Sequence, residues 1–329
     1  PGEDDVTPIA FTPNPVIGVA KAAGAALDNG DGSFTTTITL TLENLGSVGL
    51  SNVQVSDNLT GTFPAPATFS IANLSSASLT VNSAFDGRSV VDLLGGSDTL
   101  AVGASASLAF DLTFRPNGLS GPFNNQALGS AQGPGGSRAS DLSNNGSDPD
   151  PNGDGDPGED DVTPIAFTPN PVIGIAKAAS AVLDNGDGSF TTTIALNVEN
   201  LGNVILSNVQ LTDDLTDTFP APATFRVTNL SSASLTVNPA FDGSGDIHLL
   251  GGGNTLAIGA SATVTFELVF HPSDLSGPFN NQAIGSAQGP DGEPTSDLSN
   301  NGNDPDPSGD GDPSVPAEDQ GTPIDFEPG

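Results

Sequence analysis

Apolar and small polar side chains alternate with period two over long stretches of this chain. Phe34, Thr36, Ile38, Leu40 and Leu42 share one face, and Thr35, Thr37, Thr39 and Thr41 share the other. This is the pattern of a β-strand with one side buried. Leu108, Phe110, Leu112 and Phe114 form a second such run. Shorter strands are predicted over 16–22, 50–55, 68–72, 78–81 and 125–131. No stretch keeps a helical period through three turns. Turn signals such as Asp28-Asn29-Gly30-Asp31-Gly32 and Gly95-Gly96 recur about every 8 to 15 residues, as an all-β sandwich requires.

The whole pattern then occurs again. Pro1–Asp156 lies on Pro157–Asp312 without a gap, with roughly three positions in four identical. A repeat of this length is the size of a small domain, so tandem copies of one folded module are expected. Substitutions obey the strand faces: Phe190, Thr192, Ile194, Leu196 and Val198 keep the inward side, while the outward side drifts to Ala195 and Asn197. A short apolar segment between breakers, 163–167, reads as the closing strand of the first sandwich, and 322–326 as that of the second. The predicted organisation is therefore a preceding module's last strand and half-seam (1–12), module one (13–168, with an acidic seam at 141–161) and module two (169–329, with a seam at 297–319). Residue 1 aligns with the middle of a seam and the chain has no Met, so excision or processing from a longer array is expected.

Charge sharpens this picture. Forty acidic residues against six basic ones give a net charge of −34, which disfavours nucleic acid and anionic membrane as partners. About half of the acids fall in the seams and the first residues, a concentration that favours bound cations over a uniformly acidic coat. Cysteine is absent, which excludes disulfides and thiolate metal sites. No segment approaches the ~18 apolar residues of a membrane span, so this chain is not expected to insert into a membrane.

The seam carries the chemistry. From Asp148 to Glu159 the chain reads DPDPNGDGDPGE, with Asp148, Asp150 and Asn152 at positions 1, 3 and 5, Gly153 at 6 and Glu159 at 12 of a calcium-loop pattern. Asp154 and Asp156 add oxygens. Hard oxygen donors in this number suit Ca²⁺, whereas Zn²⁺ prefers His and Cys. The interleaved prolines exclude the flanking helices of an EF-hand. Asp141, Asn145, Asp160 and Asp161 are further candidate ligands, as are Glu3, Asp4 and Asp5 in the N-terminal half-seam. The second seam offers Asp304, Asp306, Ser308, Asp310 and Asp312, with Asp297, Asn301 and Asp319 beside them. Its position 12 is Val315, and three inserted residues move the acid to Glu318, so a weaker site, or a wider turn that recruits Glu318, is expected.

Other features carry less. The DNGDG turn reads as a hairpin turn, and the Thr ladder as a solvent-facing strand. His248 and His271 stand where the first copy has Asp92 and Arg115, so neither belongs to a shared site. No catalytic triad, phosphate loop or carboxylate cleft is present, and no enzyme activity is expected. Each module has one lysine in an apolar strand, Lys21 and Lys177. Lys–Asn isopeptide bonds are known in sandwich domains of surface adhesins, but nothing local identifies a partner Asn and acid, and snorkelling from a strand end is the expected role.

The segments ENLGSVGLSNVQVSDNL, TLAVGASASLAF, FNNQALGSAQGPGG and DLSNNGSDPDPNGDGDP, in this order, resemble the repeated Ig-like domain of large bacterial and archaeal cell-surface proteins, a domain of unknown function. The resemblance implies tandem Ig-like β-sandwiches on stalks, adhesins or fibres, and implies no catalytic residues. The reading is two Ig-like sandwiches in series, joined and terminated by acidic Ca²⁺-binding-like loops, in an extracellular structural protein of a prokaryotic cell surface. It is a stalk or fibre stiffened by Ca²⁺ at the junctions between modules, whose partners are its own tandem neighbours or a head-to-tail homopolymer. Alternatives are an adhesin array for a glycan or partner protein, and a filament subunit that donates strand 7–11.

Overall fold

The computed structural model describes residues 11–327. It divides into two compact units, with the main boundary between Thr168 and Pro169. Most of the expected strand 7–11 lies outside the described residues, as do Glu3, Asp4 and Asp5.

The first unit contains β1 (Ile17–Ala23), β2 (Leu27–Asp28), β3 (Phe34–Asn44), β4 (Leu50–Asp57), the single-turn α1 (Leu59–Thr62), β5 (Thr68–Ser76), β6 (Asp98–Leu100), β7 (Ser105–Arg115), β8 (Phe123–Asn125), β9 (Ala127–Gln132), β10 (Arg138–Leu142), β11 (Asn144–Asn145) and β12 (Thr163–Ile165). One sheet runs β11-β1-β3-β7-β5 with β2 folded onto β3; the other runs β10-β9-β4-β6, and β12 pairs β8 in a two-stranded ribbon. The long strands β3 and β7 pair from Phe34–Phe114 to Glu43–Ser105. Their alternating inward residues, Phe34, Ile38, Leu40, Leu42, Leu108, Phe110, Leu112 and Phe114, are buried. Opposite them lie Leu50, Val53 and Val55 of β4 and Ala127 and Ala131 of β9, also buried. This is a β-sandwich, as the period-two pattern requires.

At one end of the core Phe34, Phe63, Phe114, Phe123 and Phe167 form a cluster with ring centroids 4.7 to 6.2 Å apart. Phe167, just beyond β12, closes it. The sheets approach closely at Gly129, where a Cβ would stand 2.2 Å from Val19 Cγ2; a side chain there would push β9 away from β1.

The second unit repeats the plan with β13 (Ile173–Ala179), β14 (Leu183–Asp184), β15 (Phe190–Asn200), β16 (Leu206–Thr212), α2 (Leu215–Thr218), β17 (Thr224–Ser232), β18 (Thr255–Leu256), β19 (Ser261–His271), β20 (Phe279–Asn281), β21 (Ile284–Gln288), β22 (Pro294–Leu298), β23 (Asn300–Asn301) and β24 (Thr322–Ile324). Strand order is the same in all three sheets.

Two expectations are corrected. Residues 78–81 form no strand, only an isolated bridge from Val81 to Leu94, because they lie in a turn-rich excursion between β5 and β6 with few backbone partners. The run 125–131 is two strands rather than one: the ladder breaks at Gln126, so that β8 pairs β12 while β9 pairs β4 and β10.

Candidate functional site

The expected place of the acidic seam at the joint between modules is corrected: it lies between β11 and β12, inside the module whose strands flank it, because the chain returns to pair with β8 before it leaves that module. β11 pairs parallel to β1 at Ala20–Asn144 and Lys21–Asn145. β12 returns to β8. Between them Pro149 and Pro157 are buried, and a Cβ on Gly18 would meet their Cβ atoms at 2.9 and 3.2 Å. The prolines thus seat the loop on the first strand, while the acids between them face outward. Gly174 stands in the same relation to Pro305 and Pro313. The prolines are anchors, and the loop has a defined course.

Asp150 organises the turn. Its Oδ1 accepts from Gly153 N at 3.0 Å and Asp154 N at 3.3 Å, and its Oδ2 from Gly155 N at 2.8 Å. Asp148 Oδ1 accepts from Asp150 N, Asn152 Oδ1 from Asp154 N and Asp154 Oδ1 from Asp156 N. The glycines at 153 and 155 adopt φ of 73° and 81°, left-handed values that let the chain coil about the Asp150 carboxylate. As a result Asp150, Asp154 and Glu159 offer oxygens within 4.8 Å of one another. Asn152 Nδ2 donates to Glu159 Oε1, and Glu159 Oε2 is buried without a hydrogen-bond partner. Asp160 and Asp161 hold the exit through their backbones: Gln126 Nε2 donates to Asp160 O, and Asp161 N to Glu159 O. Asn145 is exposed beside β1.

Asp141 sits beneath this loop, 7 % exposed, its Oδ2 accepting from Val19 N at 2.7 Å. Burial pushes its carboxyl up to about 7; the Val19 N–H opposes this, and the nearby Asp160, Glu159 and Asp156 charges add to it. Asp297 of the second unit accepts from Ile175 N at 2.8 Å and is likewise raised to about 7 by burial, with Asp319 and Glu318 adding to it.

In the second seam Asp306 takes the organising role, accepting from Gly309 N and Gly311 N. Asp304 Oδ1 accepts from Asp306 N, and Asp310 Oδ1 from Asp312 N. Ser308 Oγ donates to Asp306 Oδ1, and Asn301 is exposed. Glu318 reaches back across the longer turn: its Oε1 accepts from Ser308 N at 3.0 Å, and its Oε2 is buried and unpartnered. Asp319 Oδ1 and Asp297 Oδ1 are also buried without partners. These orphaned oxygens are what a hard cation would satisfy.

A second constellation lies in the interior. Lys21 does not snorkel. It is 0 % exposed, and Nζ donates to Asp57 Oδ2. Asp57 Oδ1 accepts from Asn125 Nδ2 at 2.9 Å, and the same amide donates to Thr62 Oγ1 at 2.8 Å. Asp57 and Asn125 are 1 % and 2 % exposed, and Asn125 Oδ1 has no partner. Lys177, Asp213, Asn281 and Thr218 repeat the arrangement, with both Asn281 donor distances 2.8 Å. Burial lowers both lysines, with the paired aspartate acting against it. Neither Asp57 nor Asn125 announces itself locally. The available signal was the repeat, since each recurs unchanged one period later, as Asp213 and Asn281, while the residue after Asp57 changes from Asn58 to Asp214.

No family model and no curated protein matches the chain. Among solved structures it is similar to the full-length major pilin SpaD from Corynebacterium diphtheriae (15 % identity, 86 % of this chain and 65 % of that one, TM-score 0.28). It is also similar to the CupB6 tip adhesin from Pseudomonas aeruginosa (12 %, 89 % and 100 %, 0.36). The chain thus spans about two thirds of that pilin and all of that adhesin. A yeast delta-COP-I mu-homology domain is matched as well (10 %, 89 % and 98 %, 0.18), so likeness at this level carries no functional argument.

Proposed function

We propose that this chain is an extracellular structural protein, part of a prokaryotic surface stalk or fibre, whose sandwiches are braced by Ca²⁺ in their acidic loops. The observation that carries this reading is the convergence of Asp150, Asp154 and Glu159 on a loop that proline anchors seat against β1 and that leads directly into β12. Each close pair of carboxylates repels by ~1 kcal/mol even at the dielectric of water, and a divalent cation converts that repulsion into attraction. Because β1 is the first strand of the module and β12 the last, the ion ties the point where tension enters a module to the point where it leaves. The cation would act within each module, stiffening the unit from which a rod is made.

Tandem neighbours, or copies of this chain joined head to tail, are the proposed partners. Donation of strand 7–11 to a neighbour is the weaker variant, because β12 and β24 already pair with β8 and β20. An adhesin role would need exposed aromatic or charged anchors, and Tyr and Trp are absent. Among the described residues no helix is long and apolar enough to cross a membrane.

Calcium titration by calorimetry, with magnesium as the control, tests the reading. Saturable Ca²⁺ binding that raises the melting temperature over that in EDTA is expected. Identical melting curves in Ca²⁺ and EDTA would remove calcium from it.

A further inference from the structure

The buried lysine clusters play no part in the acidic loops and need no ion. We propose that each module contains an autocatalytic isopeptide bond, joining Lys21 Nζ to Asn125 Cγ in the first and Lys177 Nζ to Asn281 Cγ in the second, with Asp57 and Asp213 as the respective proton carriers.

An ordinary buried ion pair is the rival account, and three observations separate the two. First, the aspartate is shared. One oxygen of Asp57 holds the lysine nitrogen and the other holds the Asn125 amide nitrogen, so a single carboxylate touches both the nucleophile and the group that must leave. Second, the asparagine is not satisfied. Its NH₂ is engaged by Asp57 and Thr62, and its carbonyl oxygen is buried without a donor. Flipping the amide would turn that oxygen towards the Asp57 carboxylate, acceptor against acceptor, so the orientation is fixed. An ion pair needs no asparagine placed at such cost. Third, burial lowers the lysine, which favours the neutral amine required for attack. The same burial keeps out the water that would hydrolyse the amide instead. All three elements recur in the second unit.

The step balances without an oxidant or co-reactant. Lys21 passes one proton to Asp57 and its lone pair attacks Asn125 Cγ. Asp57 relays a proton to Nδ2, the Cγ–Nδ2 bond breaks and ammonia departs. Of the five hydrogens first carried by the lysine ammonium and the amide, one stays on the new amide nitrogen and three leave in ammonia. The fifth rests on Asp57, or leaves with the ammonia as ammonium.

The location gives the bond a purpose. Lys21 is in the first strand, Asn125 is in β8, and Asn125 stands opposite Thr163 of the closing strand. Thr163 Oγ1 also donates to Lys21 O at 3.0 Å. A covalent link here joins the entry strand to the ribbon that holds the exit strand. Tension along the chain would pass through the bond, and the segment from Lys21 to Asn125 would carry none of it.

The decisive measurement is the intact mass of the full chain under denaturing conditions. The expected mass is that of the sequence less two molecules of ammonia, and digestion at acidic residues should yield branched peptides joining β1 to β8 and β13 to β20. Lys21→Met and Asp57→Asn should each reduce the deficit to one ammonia. A wild-type mass equal to the sequence mass overturns the proposal whatever the variants do. So does a deficit that persists in Lys21→Met, or one that maps to succinimide at an Asn–Gly pair such as Asn29-Gly30 in place of a branched peptide.

Discussion

Ile165→Ala tests whether the three-residue strand that follows the acidic loop is part of the module or merely a linker. Ile165 is 0 % exposed and pairs with Phe123 of β8, while Thr163 is pinned by its hydroxyl to Lys21 O. The pinned backbone limits collapse around a truncated side chain. Removing three carbons costs about 2.4 kcal/mol at ~0.8 kcal/mol per buried methylene, and an unrelaxed cavity adds about 1 to 2 kcal/mol. A loss of about 3 to 4 kcal/mol in a module of this size lowers its midpoint by roughly 6 to 16 °C. Differential scanning calorimetry should show this in the transition of the first module, and Ile324→Ala should do the same to the second. Val162→Ala, at a position 46 % exposed, should stay within about 0.5 kcal/mol of wild type. A shift of less than about 1 °C for Ile165→Ala would mean that β12 detaches freely, and the acidic loop could then not brace the module.

Asp150→Ala should abolish the Ca²⁺-dependent stabilisation of the first module, which for wild type is ~2.7 kcal/mol at a hundredfold excess over Kd, and with it the rise in that module's melting temperature; an unchanged rise would place the ion elsewhere. Glu318→Gln should weaken binding at the second seam about tenfold, ~1.4 kcal/mol, and calorimetry in which both sites keep their affinity would contradict the role given to its buried carboxylate. In EDTA, stability should fall as pH rises from about 4 to about 7. The folded Asp141 and Asp297 hold protons to about 7, against an ordinary 3.8, so over that window the folded state binds more protons than the unfolded chain. The effect is at most about 4 kcal/mol per module, and Asp141→Asn should remove the first module's share; a stability that climbs with pH in EDTA would refute the assignment. Gly18→Val should lower Ca²⁺ affinity without touching a carboxylate, because a side chain there displaces Pro149 and Pro157; unaltered affinity with an intact fold would show that the proline seat is unnecessary.

Strand content, the module repeat and the acidic loop were legible in the sequence because each is written locally. Alternation assigns Phe34 to Leu42 to one face whatever lies opposite, and the spacing from Asp148 to Glu159 encodes a loop that coils about its own carboxylates. In the second seam the sequence shows the acid displaced from position 12 to Glu318, and only the fold shows its carboxylate accepting from Ser308 N. What stayed hidden depends on residues far apart in the chain. The break at Gln126 is decided by which strand offers a free edge, and Asn125 faces β12 only once the loop has returned. The proline seat on Gly18 exists only when β1 and the seam meet. Above all, Lys21, Asp57 and Asn125 come from three strands separated by 36 and 68 residues. Each alone reads as an ordinary polar residue near a strand end, and folding the two sheets together is what removes water from them and makes them one site. Local pattern sets which residues turn inward, while long-range packing sets which of those meet.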